Sequence, residues 1–152
     1  MDSTDRRIIK ALQSDGRQKL GDLAQKVGLS PTPCARRVAA LEAAGVITGY
    51  GARVDQAKLG LPVSVFIEVE LASQSREAID AFERAVSRMD EVMECHLMSG
   101  NRDIMLRVVV ADLEAYEDFT RNRIHPIGGI ASIDTSFVYG TVKKTDVFPM
   151  VD

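Results

Sequence analysis

The chain has 152 residues, 45% hydrophobic and 27% charged, the balance of a soluble globular protein made of one domain or two small ones. No apolar run reaches membrane-spanning length, and the opening MDSTDRR has no signal-peptide core, so a cytoplasmic protein with no membrane partner is expected. The net charge of −3 is unevenly shared: Met1–Asp55 carries nine Lys/Arg against six Asp/Glu, and the remainder ten against sixteen. A basic head on an acidic body suits a protein that offers only its head to a nucleic acid. Cys34 and Cys95 are too few for a disulfide framework, and their spacing suggests no metal site; no cofactor is expected.

Residues 4–14 read as a first helix, with Ile8, Ile9 and Leu12 at helical spacing. Ser3, Thr4 or Asp5 is the expected cap, and Asp15-Gly16 the stop. Residues 19–27 form a second helix with Leu20, Leu23, Ala24 and Val27 as its inner stripe. After the turn Val27-Gly28-Leu29 comes Ser30-Pro31-Thr32-Pro33-Cys34-Ala35-Arg36-Arg37-Val38, the start of a third helix. Ser30 suits the cap, Pro31 the first turn and Gly45 the end.

Val38 and Leu41, with Ala35 and Ala39 behind them, make the packing face, and Arg36 and Arg37 flank it. Two helices joined by a glycine-containing turn are the helix-turn-helix pattern, whose second helix enters the major groove. The candidate DNA-contacting residues are therefore Ser30, Thr32, Pro33, Arg36 and Arg37. Arginine pairs with guanine edges or phosphate, and Thr32 and Pro33 suit contact with a thymine methyl. Cys34 reads as a small packing residue. Residues 45–55 alternate glycine with β-favouring residues and predict a short hairpin, a wing closing the head at residue 55. Residues 56–62 are the linker.

From Val63 the period changes from 3.6 to 2. Val63, Val65, Ile67, Val69 and Leu71 alternate with Ser64, Phe66, Glu68 and Glu70, a strand. A helix over 76–89 follows, then strands over 92–99 and 103–110 joined at Gly100-Asn101-Arg102, a helix over 113–123 and a last strand over 133–143. The order βαββαβ predicts an α+β, ferredoxin-like domain over 63–152: a four-stranded antiparallel sheet with both helices on one face. Ile104, Leu106, Val108 and Val110 then face the helices. Met105, Val109, Phe66 and Val138 form an apolar row on the open face, which predicts a partner, most simply a second copy in a two-fold homodimer.

Nothing here points to catalysis. Cys95 and His96 are adjacent on a strand and so point to opposite faces, His125 has no ligand-like company, and Lys143-Lys144 reads as solvated charge. With no nucleophile–base pair, metal cluster or phosphate-binding glycine loop, the chain is not expected to be an enzyme.

The run Asp5-x-x-Ile8-Ile9-x-x-Leu12-Gln13-x-Asp15-Gly16-Arg17, the stretch VGLSPTPCARRVAALEAAGVITGY, and Glu94 to Gly100 followed by Asp103 together resemble the Lrp/AsnC, or feast/famine, transcriptional regulators over nearly the whole chain. The resemblance implies a winged helix-turn-helix head and a ligand-sensing RAM domain, similar in fold to the ACT domain. It also implies dimers that assemble further into tetramers, octamers or larger forms, and an amino-acid effector bound between dimers. Carried over by position, the effector residues are Gly100, Asn101, Arg102 and Asp103, with Thr135, Ser136 and Val138 from the last strand. Asp103 suits a ligand ammonium, and the turn's N–H groups its carboxylate. Two departures stand out: Arg102 where the family commonly has an aromatic residue, and Ile127-Gly128-Gly129-Ile130 where it commonly has Leu-Pro-Gly-Val. Arg102 alters the pocket's polarity, so the ligand's identity does not carry over.

The expected function is sequence-specific binding of double-stranded DNA in transcription regulation, modulated by a small effector. Two other classes compete: an architectural DNA-binding protein without an effector, and a ferredoxin-like metabolite sensor or enzyme.

Overall fold

A computed structural model describes residues Met1–Met150. Three helices open the chain: α1 (Ser3–Ser14), α2 (Leu20–Val27) and α3 (Pro31–Ala43). Ile8, Leu23, Ala24, Val27, Cys34 and Leu41 are buried together between them, with Ile9, Leu12, Leu29, Val38 and Ile47 packed around. Cys34 is thus a core residue, and burial pushes its thiol pKa up.

The cap of α1 is Asp2, not one of the three residues expected. Its side chain accepts from the N–H groups of Thr4 and Asp5, and the Asp5 side chain accepts in return from the Asp2 N–H. With four successive cap-competent residues at this end, the one completing the reciprocal box wins.

Gly28 closes α2 with φ +71, a left-handed conformation that costs an L side chain about 1–2 kcal/mol. The Leu29 N–H reaches Ala24 O at 2.9 Å and the Gly28 N–H reaches Gln25 O at 3.2 Å, the paired bonds of a Schellman stop. This fixes the turn that aims α3.

The expected wing hairpin is absent: residues 45–55 carry no strand. Their polar groups turn to the helices instead. The Tyr50 hydroxyl donates to Glu42 Oε1 at 2.8 Å, and Arg53 Nη2 donates to the Gln13 carbonyl at 3.0 Å.

The second half builds β1 (Val63–Leu71), α4 (Arg76–Val86), β2 (Val92–Leu97), β3 (Ile104–Val110), α5 (Leu113–Phe119) and β4 (Ile130–Phe137). The sheet is antiparallel in the order β2-β3-β1-β4. Val65, Ile67, Val69 and Leu71 of β1 and Ile104, Leu106, Val108 and Val110 of β3 are buried against Phe82 and Val86 of α4, Phe119 of α5 and Ile124. Both helices therefore cover one face, as the pattern predicts. The last helix is shorter than expected: beyond Phe119 it widens into a π-turn over Thr120–Ile124 and then a 3-10 turn over His125–Ile127. The last strand begins three residues early, where a bulge at Glu70/Leu71 shifts the register so that Ile130 meets Leu71, and it ends at Phe137.

The open face differs from the apolar row expected. Val109 is buried at 4% exposure, and Phe66, Met105 and Val138 are half-buried. Arg107 lies between Met105 and Val109 on β3 and opposite Phe66 on β1, only 20% exposed, with its Nε 2.7 Å from Glu94 Oε1 on β2. An arginine stem can cover apolar neighbours while its head stays paired, and here it breaks the row at its centre.

The ladder stops near Val138, whose N–H bonds Ser64 O at 3.0 Å. By internal packing the described residues from Val142 to Met150 group with Met1–Arg53, and Val54–Thr141 form the sheet unit. The cause is local. The Gln13 side-chain amide pairs with the Phe148 backbone twice, donating to its carbonyl at 3.2 Å and accepting its N–H at 2.6 Å. No helix among the described residues is long and apolar enough to cross a membrane.

Candidate DNA interface and effector region

The exposed face of α3 is set by its buried one. Cys34 and Leu41 point into the head, so Thr32, Arg36, Ala39 and Ala43 share the opposite side, and all four are exposed. Arg36 is the sole charge on this face, and the alanines leave it flat beside the helix axis.

The helix start is open as well. Ser30 occupies the cap position but makes no side-chain cap bond, contrary to expectation, so its hydroxyl is not used by the helix. Pro31 and Pro33 have no N–H, which leaves Thr32 as the first-turn amide for an incoming phosphate. Ser30 and Thr32 are exposed and Pro33 is half-buried. Arg37 is not free as expected: its Nη1 lies 2.7 Å from Asp2 Oδ2 and 2.7 Å from Asp5 Oδ1 on α1.

The seven effector candidates do not converge on one pocket. Gly100 and Asn101 are exposed in the β2–β3 connection. Arg102 reaches across the open face, donating to Glu70 Oε2 at 2.7 Å and Ser132 Oγ at 2.6 Å and pairing with Asp134. Ser136 lies opposite Phe66 on that same open face, whereas Thr135 faces the helices, its hydroxyl 2.6 Å from that of Tyr116. Val138 is half-buried past the end of β4.

Asp103 already has its partners. Its Oδ2 accepts the Leu71 N–H at 2.8 Å, its Oδ1 accepts from Gln74 Nε2 at 2.8 Å, and its own N–H donates to Val69 O at 3.0 Å. It therefore stitches the β3 start to the β1 end. Asp103→Ala is expected to leave the Leu71 N–H without its acceptor and cost about 1–3 kcal/mol. Asp103→Asn keeps that acceptor and should recover most of the loss, read by thermal unfolding of both variants. Equal stability of Asp103→Ala and the parent would remove the structural role.

Glu70, Ser132 and Asp134, the partners of Arg102, escaped the sequence reading. Part of the signal was present: a ferredoxin-like order puts β4 beside β1, and alternation places Glu70 and Asp134 on the open face, whereas Ser132 lies ahead of the strand start expected at residue 133. Cys95 and His96 lie opposite Leu106 and Met105 and thus on opposite faces, as expected. Partial burial and, to a lesser extent, the Glu83 carboxylate push the Cys95 thiol pKa up, against any role as a nucleophile. His96 instead sits 3.2 Å from Glu94 Oε2.

Residues 1–48 match the family model for winged helix-turn-helix DNA-binding domains, and residues 64–148 match that for the Lrp/AsnC ligand binding domain. A Bkd operon transcriptional regulator of Pseudomonas aeruginosa is 43% identical over 99% of this chain and 98% of its own length. A crystal structure of an AsnC family transcriptional regulator from Agrobacterium tumefaciens superimposes with a TM-score of 0.93, at 41% identity over 98% of this chain and 97% of that one. A Neisseria meningitidis transcriptional regulator solved in complex with L-Met also gives 0.93, at 31% identity over 98% of this chain and 96% of that one. With a helix-turn-helix head whose third helix bares Arg36, a ferredoxin-like domain following it in the chain, and relatives matched over nearly their whole length, the chain belongs to the Lrp/AsnC family of transcriptional regulators.

Proposed function

We propose that α3 reads operator DNA through Thr32 and Arg36, with Ser30 and Pro33 against the backbone at the helix start, and that an amino acid or closely related metabolite modulates this binding. The observation that carries the reading is the outward face of α3, where one unpaired arginine stands among small residues. The match to a regulator solved with L-Met supports the amino-acid class. Gly100, Asn101, Arg102 and Ser136 would meet the effector, while Thr135, Val138 and Asp103 support the strands around it.

The working form is a homodimer, able to assemble further. Two recognition helices then enter successive major grooves about 34 Å apart on a two-part operator. Exposed Met93, Leu97 and Met98, on and just after edge strand β2, give the sheet unit apolar surface for such contacts. The protein acts in the cytoplasm as a regulator without enzymatic turnover.

The test is titration of the protein onto duplex DNA from upstream of its own coding sequence, at one fixed salt, with and without each amino acid. The effector must favour one assembly or head arrangement over another, so one amino acid should shift the affinity by about 5–150-fold. Tight, specific binding that no amino acid alters would contradict the effector half. Salt-sensitive binding without sequence preference would favour an architectural protein.

A further inference from the structure

Arg37 is one residue past Arg36, and helix geometry turns it about 100° away, onto the flank of α3 that meets α1. There one nitrogen, Nη1, bridges two carboxylates at 2.7 Å each. Those carboxylates are also the two halves of the α1 capping box. Asp2 uses Oδ1 for the N–H groups of Thr4 and Asp5, at 2.9 and 2.8 Å, and Oδ2 for Arg37. Asp5 uses Oδ2 for the Asp2 N–H at 2.9 Å and Oδ1 for Arg37. Asp5 is only 16% exposed and Arg37 36%. The Asp5 N–H and the Arg37 guanidinium hold the Asp2 carboxyl below its usual range.

We propose that Arg37 is a positioning residue: it locks the recognition helix to the N-terminus of α1 and sets the angle at which Arg36 enters the groove. This rests on reading α3 as the DNA-contacting helix. To the buried core of the head α1 gives Ile8 and α3 gives Cys34 and Leu41, and apolar burial is non-directional. Two charge-assisted bonds converging on one nitrogen are directional and fix what the core leaves loose. Part-exposed ion pairs contribute little to stability, so the role is geometric. Both N–H groups of Nη1 are thereby spent on the two carboxylates.

Three variants decide it: Arg36→Ala, Arg37→Met, and the double Asp2→Asn/Asp5→Asn. Asparagine caps as well as aspartate, so the double variant keeps the box and loses the charges and the oxygens that accept from Arg37. Each is titrated onto the operator and onto a shuffled duplex between about 50 and 200 mM salt. A misaimed helix loses operator affinity and keeps non-specific binding, whereas a merely unfolded head loses both together. For Arg37→Met the expected result is about a tenfold loss on the operator, little change on shuffled DNA, and an unaltered salt slope. The double variant should likewise lose operator affinity although it sheds two negative charges.

Tighter operator binding by the double variant would show that the two carboxylates repel DNA and do not aim α3, and a salt slope falling by about one in Arg37→Met would show that Arg37 contacts phosphate; either result would overturn the proposal. If Arg37→Met does not fold, the double variant alone decides by the sign of its change. Arg36→Ala separates the two readings: no effect there removes α3 as the reading helix, while a normal Arg36 effect with a tighter double variant removes only the role given to Arg37.

Discussion

Arg36→Ala should cost about 1–3 kcal/mol of operator binding, roughly 5- to 150-fold in affinity, while leaving the unfolding temperature almost unchanged. Arg36 is exposed and makes no contact that holds the head together, so its removal leaves a good helix former on an open surface. The loss is at the upper end if the guanidinium pairs with a guanine edge, because a fork of two hydrogen bonds is then broken. In that case discrimination at one symmetric pair of operator positions should relax. A phosphate contact predicts a smaller, sequence-independent loss and a salt slope reduced by about one. An unchanged affinity on both DNAs would show that another face of the head meets DNA.

Ile8→Ala should have a still larger effect, and by a different route. Ile8 is fully buried at the centre of the six-residue core that the three helices share. Truncating such a side chain costs about 2–5 kcal/mol, because the cavity left behind collapses only in part. A unit of this size is held by roughly 3–10 kcal/mol in total, at about 0.05–0.15 kcal/mol per residue. The head should therefore be largely unfolded near growth temperature and DNA binding abolished. The sheet unit, with its separate core around Phe82, Ile67 and Leu106, should melt at its parent temperature. Ile8→Val costs only about 0.5–1.5 kcal/mol and should keep the head folded and binding. A single transition displaced as a whole by Ile8→Ala would show that the two units do not melt independently.

Legibility in the sequence followed the strength of local signals. The β1 range was readable to the residue because four buried residues alternate with Phe66, Glu68 and Glu70. The Gly28 turn and the Gly45 stop were readable because glycine is the cheap solution where φ is positive, here +71 and +69. The β4 start was not, because the bulge opposite Leu71 breaks the period of two on which a strand reading depends.

The site was readable in outline and misleading in detail. Adjacent arginines look equivalent in a string, yet on a helix Arg37 lies only about 40–60° from Leu41 and Cys34, close enough to the packing flank to meet α1. Its partners are 35 and 32 residues away, beyond any local pattern. Arg107 was visible as an outward residue between Met105 and Val109, and counting it would have replaced the open apolar face by a mixed one. The joining of the last residues to the head left no trace in periodicity, since it runs through one glutamine side chain and the backbone of Phe148.

The most direct test of the whole reading is a competition titration of the full chain between its own upstream duplex and a shuffled duplex of equal length and composition, at one salt concentration. A sequence-reading head predicts a preference of about 10³-fold or more for the upstream DNA. Equal affinity for both, falling together as salt rises, would mean that the protein holds phosphate without reading bases, and would contradict the account of α3.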